Sequence, residues 1–164
     1  MKFNIIAFLS WVFGMVAGFI SLYFFPELLF IDNDNSLVKK ETLSVPNILI
    51  TNLQVCLVNI LGGFTFGLTT ILNLIYNGFV FSFLLKLIYV VNLKYFANLL
   101  PHSCEVVGFV ISGAVGLELG YFFYKTINKK HTNLNHSKII TKTFLSVSII
   151  ILFSFVEVYI STLF

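Results

Sequence analysis

Ionisable side chains inside long apolar runs are the residues of this sequence that could do chemistry. His102 and Glu105 stand three positions apart in one such run, and Glu157 interrupts another. Charged groups are costly inside a bilayer and are usually retained there for a function. Similar depths place His102, Glu105 and Glu157 around one outward-facing polar pocket. The alternative is a plain packing surface on which Glu105 is protonated or hydrogen-bonded.

A metal site is the first enzyme-like chemistry that His102 and Glu105 suggest. The pair supplies two ligands, but Cys104 points about 100° away from Glu105 around a helix. No second histidine motif occurs in any apolar run, and zinc needs three or four ligands. Nucleophile motifs, a glycine-rich phosphate loop and a Cys-x-x-Cys pair are also absent. The sequence therefore predicts no catalytic residue, no metal and no cofactor, so ATP-driven work would need an ATPase partner.

Two further charges inside apolar runs need partners. Lys86 and Glu118 are predicted to lie at matching depths, roughly 12 Å and 9 Å from the same end of their spans by helical rise. Because an unpaired charge at such a depth is costly, the sequence predicts a buried ion pair between Lys86 and Glu118.

Small and amide side chains indicate where helices pack closely. Small residues of the fourth apolar run recur every four positions, which aligns them on one helix face together with Glu105. This face is predicted to be the surface that a partner contacts. Asparagines are predicted to make polar contacts between helices. The predicted packing residues are Gly108, Ser112, Gly116, Gly120, Gly62, Gly63 and Gly67, and the predicted amide contacts are Asn52, Asn59 and Asn77.

The composition indicates which elements must position these residues. Of the 164 residues, 58% are apolar and 10% are charged, and the mean hydropathy is +0.96. Soluble domains have about 45–50% apolar and about 25% charged residues, so a water-soluble globule is excluded. The sequence predicts an all-α, polytopic membrane bundle of about five transmembrane helices in one domain, 1–164. The predicted spans are 3–25, 48–74, 77–93, 101–124 and 143–164, with a turn at Asn77-Gly78 and Pro101 opening the fourth helix.

The lysines predict the orientation of the bundle. Six lie on the side of the N-terminus and the 125–142 loop, three lie on the opposite side, and Lys86 is inside the third span. Cytoplasmic loops carry an excess of lysine, so the N-terminus is predicted to be cytoplasmic and the C-terminus external.

The chain has no arginine and no folded basic cluster of the kind that binds phosphates. Nucleic acid is therefore not an expected partner.

Taken together, these motifs resemble the stage II sporulation protein M family of bacterial integral membrane proteins. The residues that carry the resemblance are, in order, Asn52, Gly62-Gly63 with Gly67, Asn77-Gly78, Pro101-His102-Ser103-Cys104-Glu105, Gly113-Ala114-Val115-Gly116-Leu117 and Glu157. They cover about residues 48–164. Ser103 and Ser82 stand where the family pattern has glycine, which indicates a divergent branch.

The resemblance implies a role in a membrane assembly. Compact members of the family accompany an ABC-type ATPase and a larger membrane protein in circular bacteriocin gene clusters, where they serve peptide maturation, export and sometimes self-protection. We therefore expect a multi-pass, non-enzymatic subunit of such a complex in the bacterial cytoplasmic membrane. Its expected partners are membrane lipid, other membrane subunits, an ABC-type ATPase and a peptide precursor, with self-association left open. The alternatives are a sporulation-type scaffold for peptidoglycan-remodelling enzymes, a stand-alone bacteriocin immunity protein and an intramembrane enzyme that joins peptide ends.

Overall fold

Five long helices make up almost all of the described chain. The computed structural model describes residues 2–26, 45–91, 96–130 and 133–163. The helices are α1 (Lys2–Phe24), α2 (Val45–Leu61), α3 (Leu68–Val91), α4 (Phe96–Ile127) and α5 (His136–Leu163). All five are long and apolar enough to cross a membrane, α2 together with the turn that follows it. A helix suits this environment because its backbone hydrogen bonds are satisfied internally, without water. The predicted all-α membrane fold with five spans is confirmed.

Helix α4 is the central element of the bundle. In an 18-residue apolar stretch of α4, 56% of the residues are buried inside the protein, against 17–28% in the corresponding stretches of the other four helices. It contacts every other helix: α1 and α3 pack on one another and on α4, while α5 packs on α4 and α2. Every residue from Ser112 to Leu117 is buried. A polar group on the buried face of α4 is therefore placed in the interior, among the other helices.

The turn between the second and third spans lies earlier than the sequence analysis predicts. A single turn of 3₁₀ helix, Gly62–Thr65, follows α2, and Phe66 and Gly67 then take positive φ values of 56° and 88°. The N–H of Gly67 donates to the carbonyl of Gly62 at 2.9 Å, which closes the turn. The predicted spans 48–74 and 77–93 and the turn at Asn77-Gly78 are therefore wrong. Both residues lie within α3, where the Asn77 side chain donates to the Asn73 carbonyl at 2.7 Å.

Two other predicted helix starts also differ from the structure. Helix α4 begins at Phe96, so Pro101 lies inside it and does not open it. Helix α5 begins at His136 and not at Thr143, because it extends outward into the basic segment. There the Asn135 side chain accepts the backbone N–H of Lys138 at 3.0 Å, as a helix cap does. The first polar segment, 26–47, and the 92–98 link fall largely outside the described residues.

Candidate functional site

A fully buried carboxylate on α4 is the centre of the candidate site. Glu105 has no exposed surface. Its Oε1 atom accepts a hydrogen bond from the Asn52 side chain of α2 at 2.7 Å and one from the Ser154 hydroxyl of α5 at 3.2 Å. Donors from two other helices, α2 and α5, thus hold one oxygen of Glu105 and fix the direction of the other.

The second oxygen of Glu105 faces the other two residues of the predicted pocket. His102 Nδ1 lies 3.1 Å from Glu105 Oε2. One ligand atom from each of His102, Glu105 and Glu157 lies within 4.8 Å of the other two. The structure therefore brings together the three ionisable residues that the sequence analysis assigned to one pocket, and Glu157 on α5 completes the set.

Two carboxylate oxygens of this cluster are buried without a hydrogen bond. Neither Oε2 of Glu105 nor Oε2 of Glu157 accepts one from the part of the chain that the structure describes. The contact from His102 to Glu105 is at ion-pair distance but lacks hydrogen-bond alignment. Buried polar groups are ordinarily hydrogen-bonded, so these two oxygens are available to a bound group.

Two cavities meet at His102. The first, about 240 Å³, is open on one side and is lined by Asn47, Ile48, Thr51, Asn52, His102 and Glu157. The second, about 270 Å³, is more enclosed and is lined by aromatic residues such as Trp11 and Phe81 as well as by His102. The ring of Phe81 stacks on the imidazole with centroids 6.0 Å apart. His102, with a side chain 32% exposed, therefore connects the buried carboxylate with an accessible space.

A second polar network joins α2, α3 and α4 around Asn59, which is fully buried. The Asn59 amide donates to Ser112 Oγ at 3.0 Å and to the Phe109 carbonyl at 3.2 Å. Its side-chain oxygen accepts from Asn73 at 2.8 Å, and its carbonyl accepts from Thr70 at 2.7 Å. Asn73 and Thr70 are not among the residues predicted from the sequence to make amide or packing contacts. Each is a polar residue within an apolar run, which is the sequence feature that could have identified it. Asn73 also lies one helical turn before Asn77.

The small residues of α4 contact the chain's own helices. A side chain at Gly108 would meet Ile150 and Ser146 of α5, one at Gly116 would meet the Asn59 carbonyl of α2, and one at Gly120 would meet the turn at Phe66 and Gly67. Gly62 lies against Thr70, and Gly63 against Leu119 and Gly116. The prediction that this face of α4 is the partner-contacting surface is therefore wrong, because α2, α5 and the turn already occupy it.

Glu118 has a different partner from the one that the sequence predicts. Lys142 donates to Glu118 Oε2 at 2.7 Å, and Lys138 lies 3.7 Å from Oε1. The predicted pair of Lys86 with Glu118 is wrong because the turn at 62–67 changes the depth of every residue in α3. Glu118 lies near the turn, whereas Lys86 is 18 residues further along α3 than Leu68, roughly 27 Å away by helical rise.

Comparison with known proteins places the chain among membrane proteins. Residues 7–162 match the model of the family described as stage II sporulation protein M. An uncharacterized protein of Methanocaldococcus jannaschii is 32% identical over 159 residues, which cover 90% of this chain and 87% of the relative. No solved structure matches the chain.

Proposed function

The chain belongs to the stage II sporulation protein M family of membrane proteins, and on this premise we propose that it works as one subunit of a larger membrane assembly. The observation that carries the proposal is a polar side chain on the outer surface. Gln54 is exposed in the middle of α2, which spans Val45–Leu61, and it forms no hydrogen bond with the described residues.

The surroundings of Gln54 favour a protein partner over lipid. Gln54 lines an apolar groove of about 440 Å³ between α2 and α5, together with Ile50, Leu53, Cys56, Leu57, Ile60, Thr143 and Val147. The hydrocarbon core of a bilayer offers an amide no hydrogen-bond partner, and an unsatisfied polar group there is costly. A polar group on a neighbouring helix satisfies such a side chain and contributes about 0.6–2 kcal/mol to helix association.

The finer assignment is a subunit of a circular bacteriocin maturation and export complex in the bacterial cytoplasmic membrane. This sequence holds no nucleotide-binding motif, which supports a membrane subunit that relies on a partner for energy. An ABC-type ATPase, a second membrane protein and a peptide precursor are the proposed partners. In this assignment the protein itself is not an enzyme, and the α2–α5 groove is the face that another membrane subunit covers.

Photo-crosslinking from the groove tests the proposal directly. A photoreactive amino acid replaces Gln54 in one variant and Phe13 in the control, and the chain is expressed in its native host. Phe13 is 64% exposed near the middle of α1, so it samples the membrane at a similar depth away from the groove. We expect a discrete protein adduct from position 54 and only lipid adducts from position 13.

Mass spectrometry of the adduct distinguishes the candidate assemblies. Another subunit of an ATPase-driven peptide exporter supports the bacteriocin assignment. Cell-wall hydrolases or their membrane anchors would replace it with the sporulation-type scaffold, and protection of sensitive cells by the chain alone would replace it with an immunity protein. Lipid adducts alone from position 54 of the folded protein would contradict the role as a subunit.

A further inference from the structure

The three residues of the buried cluster have the donor chemistry of a metal site. One imidazole nitrogen and two carboxylate oxygens, from His102, Glu105 and Glu157, lie within 4.8 Å of one another. Helix α4 by itself offers a metal only two of these ligands, His102 and Glu105. The fold adds Glu157 from α5, which brings the number to the three protein ligands that zinc sites with an open position use.

The spacing of the donors suits a small divalent ion. In a tetrahedral zinc site, ligand atoms about 2.0–2.1 Å from the metal lie about 3.4 Å from each other. His102 Nδ1 and Glu105 Oε2 are already 3.1 Å apart. The Glu157 donor atom lies within 4.8 Å of a donor atom of each of the other two residues, so a shift of about 1–1.5 Å would bring the set to zinc-binding spacing.

The hydrogen bonds around Glu105 resemble the outer shell of a metal ligand. Carboxylates that bind metals are themselves held by hydrogen bonds, which orient them toward the ion. Asn52 and Ser154 both donate to Oε1 of Glu105 and leave Oε2 directed at His102. Glu105 is fully buried, and its Oε2 accepts no hydrogen bond from the described residues.

Charge gives a second, independent reason for a cation. Two carboxylates within one small cluster of a membrane-spanning bundle repel one another, and burial makes each of them costly as an anion. A single protonated imidazole offsets only one of the two negative charges. A divalent ion offsets both and supplies a partner to the two carboxylate oxygens that lack hydrogen bonds.

We propose that His102, Glu105 and Glu157 bind one divalent transition-metal ion, with Zn²⁺ the ion best suited to this mixture of imidazole and carboxylate ligands. The open cavity lined by His102 and Glu157 is the entry path and leaves a coordination position for water or a ligand. The bound ion ties α4 to α5, and through the bond from Asn52 to Glu105 it orients α2. This inference concerns the interior of the bundle and stands apart from the subunit role proposed for the outer groove.

Metal binding by the purified full chain tests the site. The protein is purified in mild detergent with its affinity tag removed, stripped with EDTA, incubated with ZnCl₂ and passed over a gel-filtration column. Elemental analysis should find about one zinc per chain in the wild type. Competition with a fluorescent chelator should show at least tenfold weaker binding for His102→Ala and Glu157→Gln. His136→Ala and Glu118→Gln are the matched controls outside the cluster and should bind zinc as the wild type does.

Two readouts separate loss of the site from loss of the fold. Gel filtration identifies any variant that fails to fold. Glu157 is only partly buried, so Glu157→Gln decides the test if His102→Ala does not fold. Zinc K-edge absorption of the wild type should show nitrogen and oxygen ligands at about 2.0–2.2 Å and no sulfur. A wild-type protein that retains no zinc, or a folded Glu157→Gln variant with wild-type affinity, would overturn the proposal.

Discussion

At the scale of single residues, the contact from Asn52 to Glu105 links the stability of the bundle to the candidate metal site. Replacing Asn52 with leucine removes the shorter of the two hydrogen bonds to a fully buried oxygen. The Ser154 hydroxyl still donates to this oxygen, so the change costs about the net worth of one hydrogen bond, roughly 0.5–1.5 kcal/mol. We therefore expect Asn52→Leu to lower the free energy of unfolding by that amount, measured by denaturation in mixed micelles.

The neighbouring Thr51 provides the control for that change. Its hydroxyl is exposed and, among the described residues, bonds to the Asn47 carbonyl one turn back in its own helix, so Thr51→Ala should leave stability nearly unchanged. Zinc affinity gives a second measure, since loss of an outer-shell partner typically weakens metal binding about 10–100-fold. Equal stability and zinc affinity in Asn52→Leu and the wild type would mean that Asn52 does not hold Glu105.

Part of this site can be predicted from the sequence. The contact between Asn52 and Glu105 cannot, because the spacing of residues along the chain does not show how helices pack. His102 and Glu105 are recognisable because they lie one helical turn apart, and the depth of Glu157 in the last span predicts that it joins them. Asn52 was singled out as an amide between helices, but its partner depends on how α2 packs against α4. A contact across 53 positions of sequence follows from the tertiary arrangement, which periodicity within one helix does not contain.

A second prediction for single residues concerns the pair of Lys142 with Glu118. Both side chains are 14% exposed and 2.7 Å apart. Lys142→Leu leaves the carboxylate with only Lys138, which is 47% exposed and more distant. We expect a double-mutant cycle between Lys142→Leu and Glu118→Leu to give a coupling energy of roughly 0.5–3 kcal/mol. The same cycle between Lys86→Leu and Glu118→Leu should give a value near zero, and a larger coupling for Lys86 would contradict the observed pairing.

At the scale of helices, the small residues of α4 determine how closely the bundle packs. Gly116 lies so near α2 that any side chain there would overlap the Asn59 carbonyl and the Thr70 hydroxyl. Gly116→Leu should therefore prevent the chain itself from folding, before any partner is involved, and should give aggregated protein in gel filtration. Val107→Leu is the control on the same helix, because Val107 is 52% exposed. A monodisperse Gly116→Leu protein would show that α2 and α4 can separate without loss of the fold.

The turn between α2 and α3 shows why helix ends were harder to predict than helices. Asn-Gly is a strong turn signal in water-exposed chains. For this reason the boundary between the second and third spans was predicted at positions 77 and 78. In the bundle the Asn77 amide instead bonds back to Asn73, and Gly78 lies against the Trp11 carbonyl of α1. The glycines at 62, 63 and 67 form the actual turn, where positive φ at Gly67 uses a conformation that other residues rarely adopt. Asn77-Gly78 and the glycines at 62–67 are both residues that favour turns. The packing of α1 on α3 determines which of the two forms the turn.

At the scale of the whole molecule, the lysine-rich 125–142 segment and the polar site lie at opposite ends of the bundle. Phe3 at the start of α1 contacts Tyr121 near the end of α4, and Gly120 lies against the turn at Gly67. The lysines of the 125–142 segment belong to that same end. His102 lies near the start of α4, and Glu157 near the end of α5. If lysine marks the cytoplasmic side, the cavity beside His102 opens to the outside.

This orientation predicts which positions a membrane-impermeant reagent reaches. In a background with Cys56 and Cys104 replaced, a single cysteine at Phe25 lies just beyond α1, and one at Lys130 lies just beyond α4. Both positions are exposed. In intact cells a charged maleimide should label the cysteine at 25, whereas the cysteine at 130 should react only after the membrane is permeabilised. The reverse pattern would place the lysine-rich end outside and turn the cavity toward the cytoplasm.

The orientation also decides where the cluster would acquire its metal, because a cavity that opens outward binds the ion from the exterior. A chelator that cannot cross the membrane should then strip the ion from intact cells.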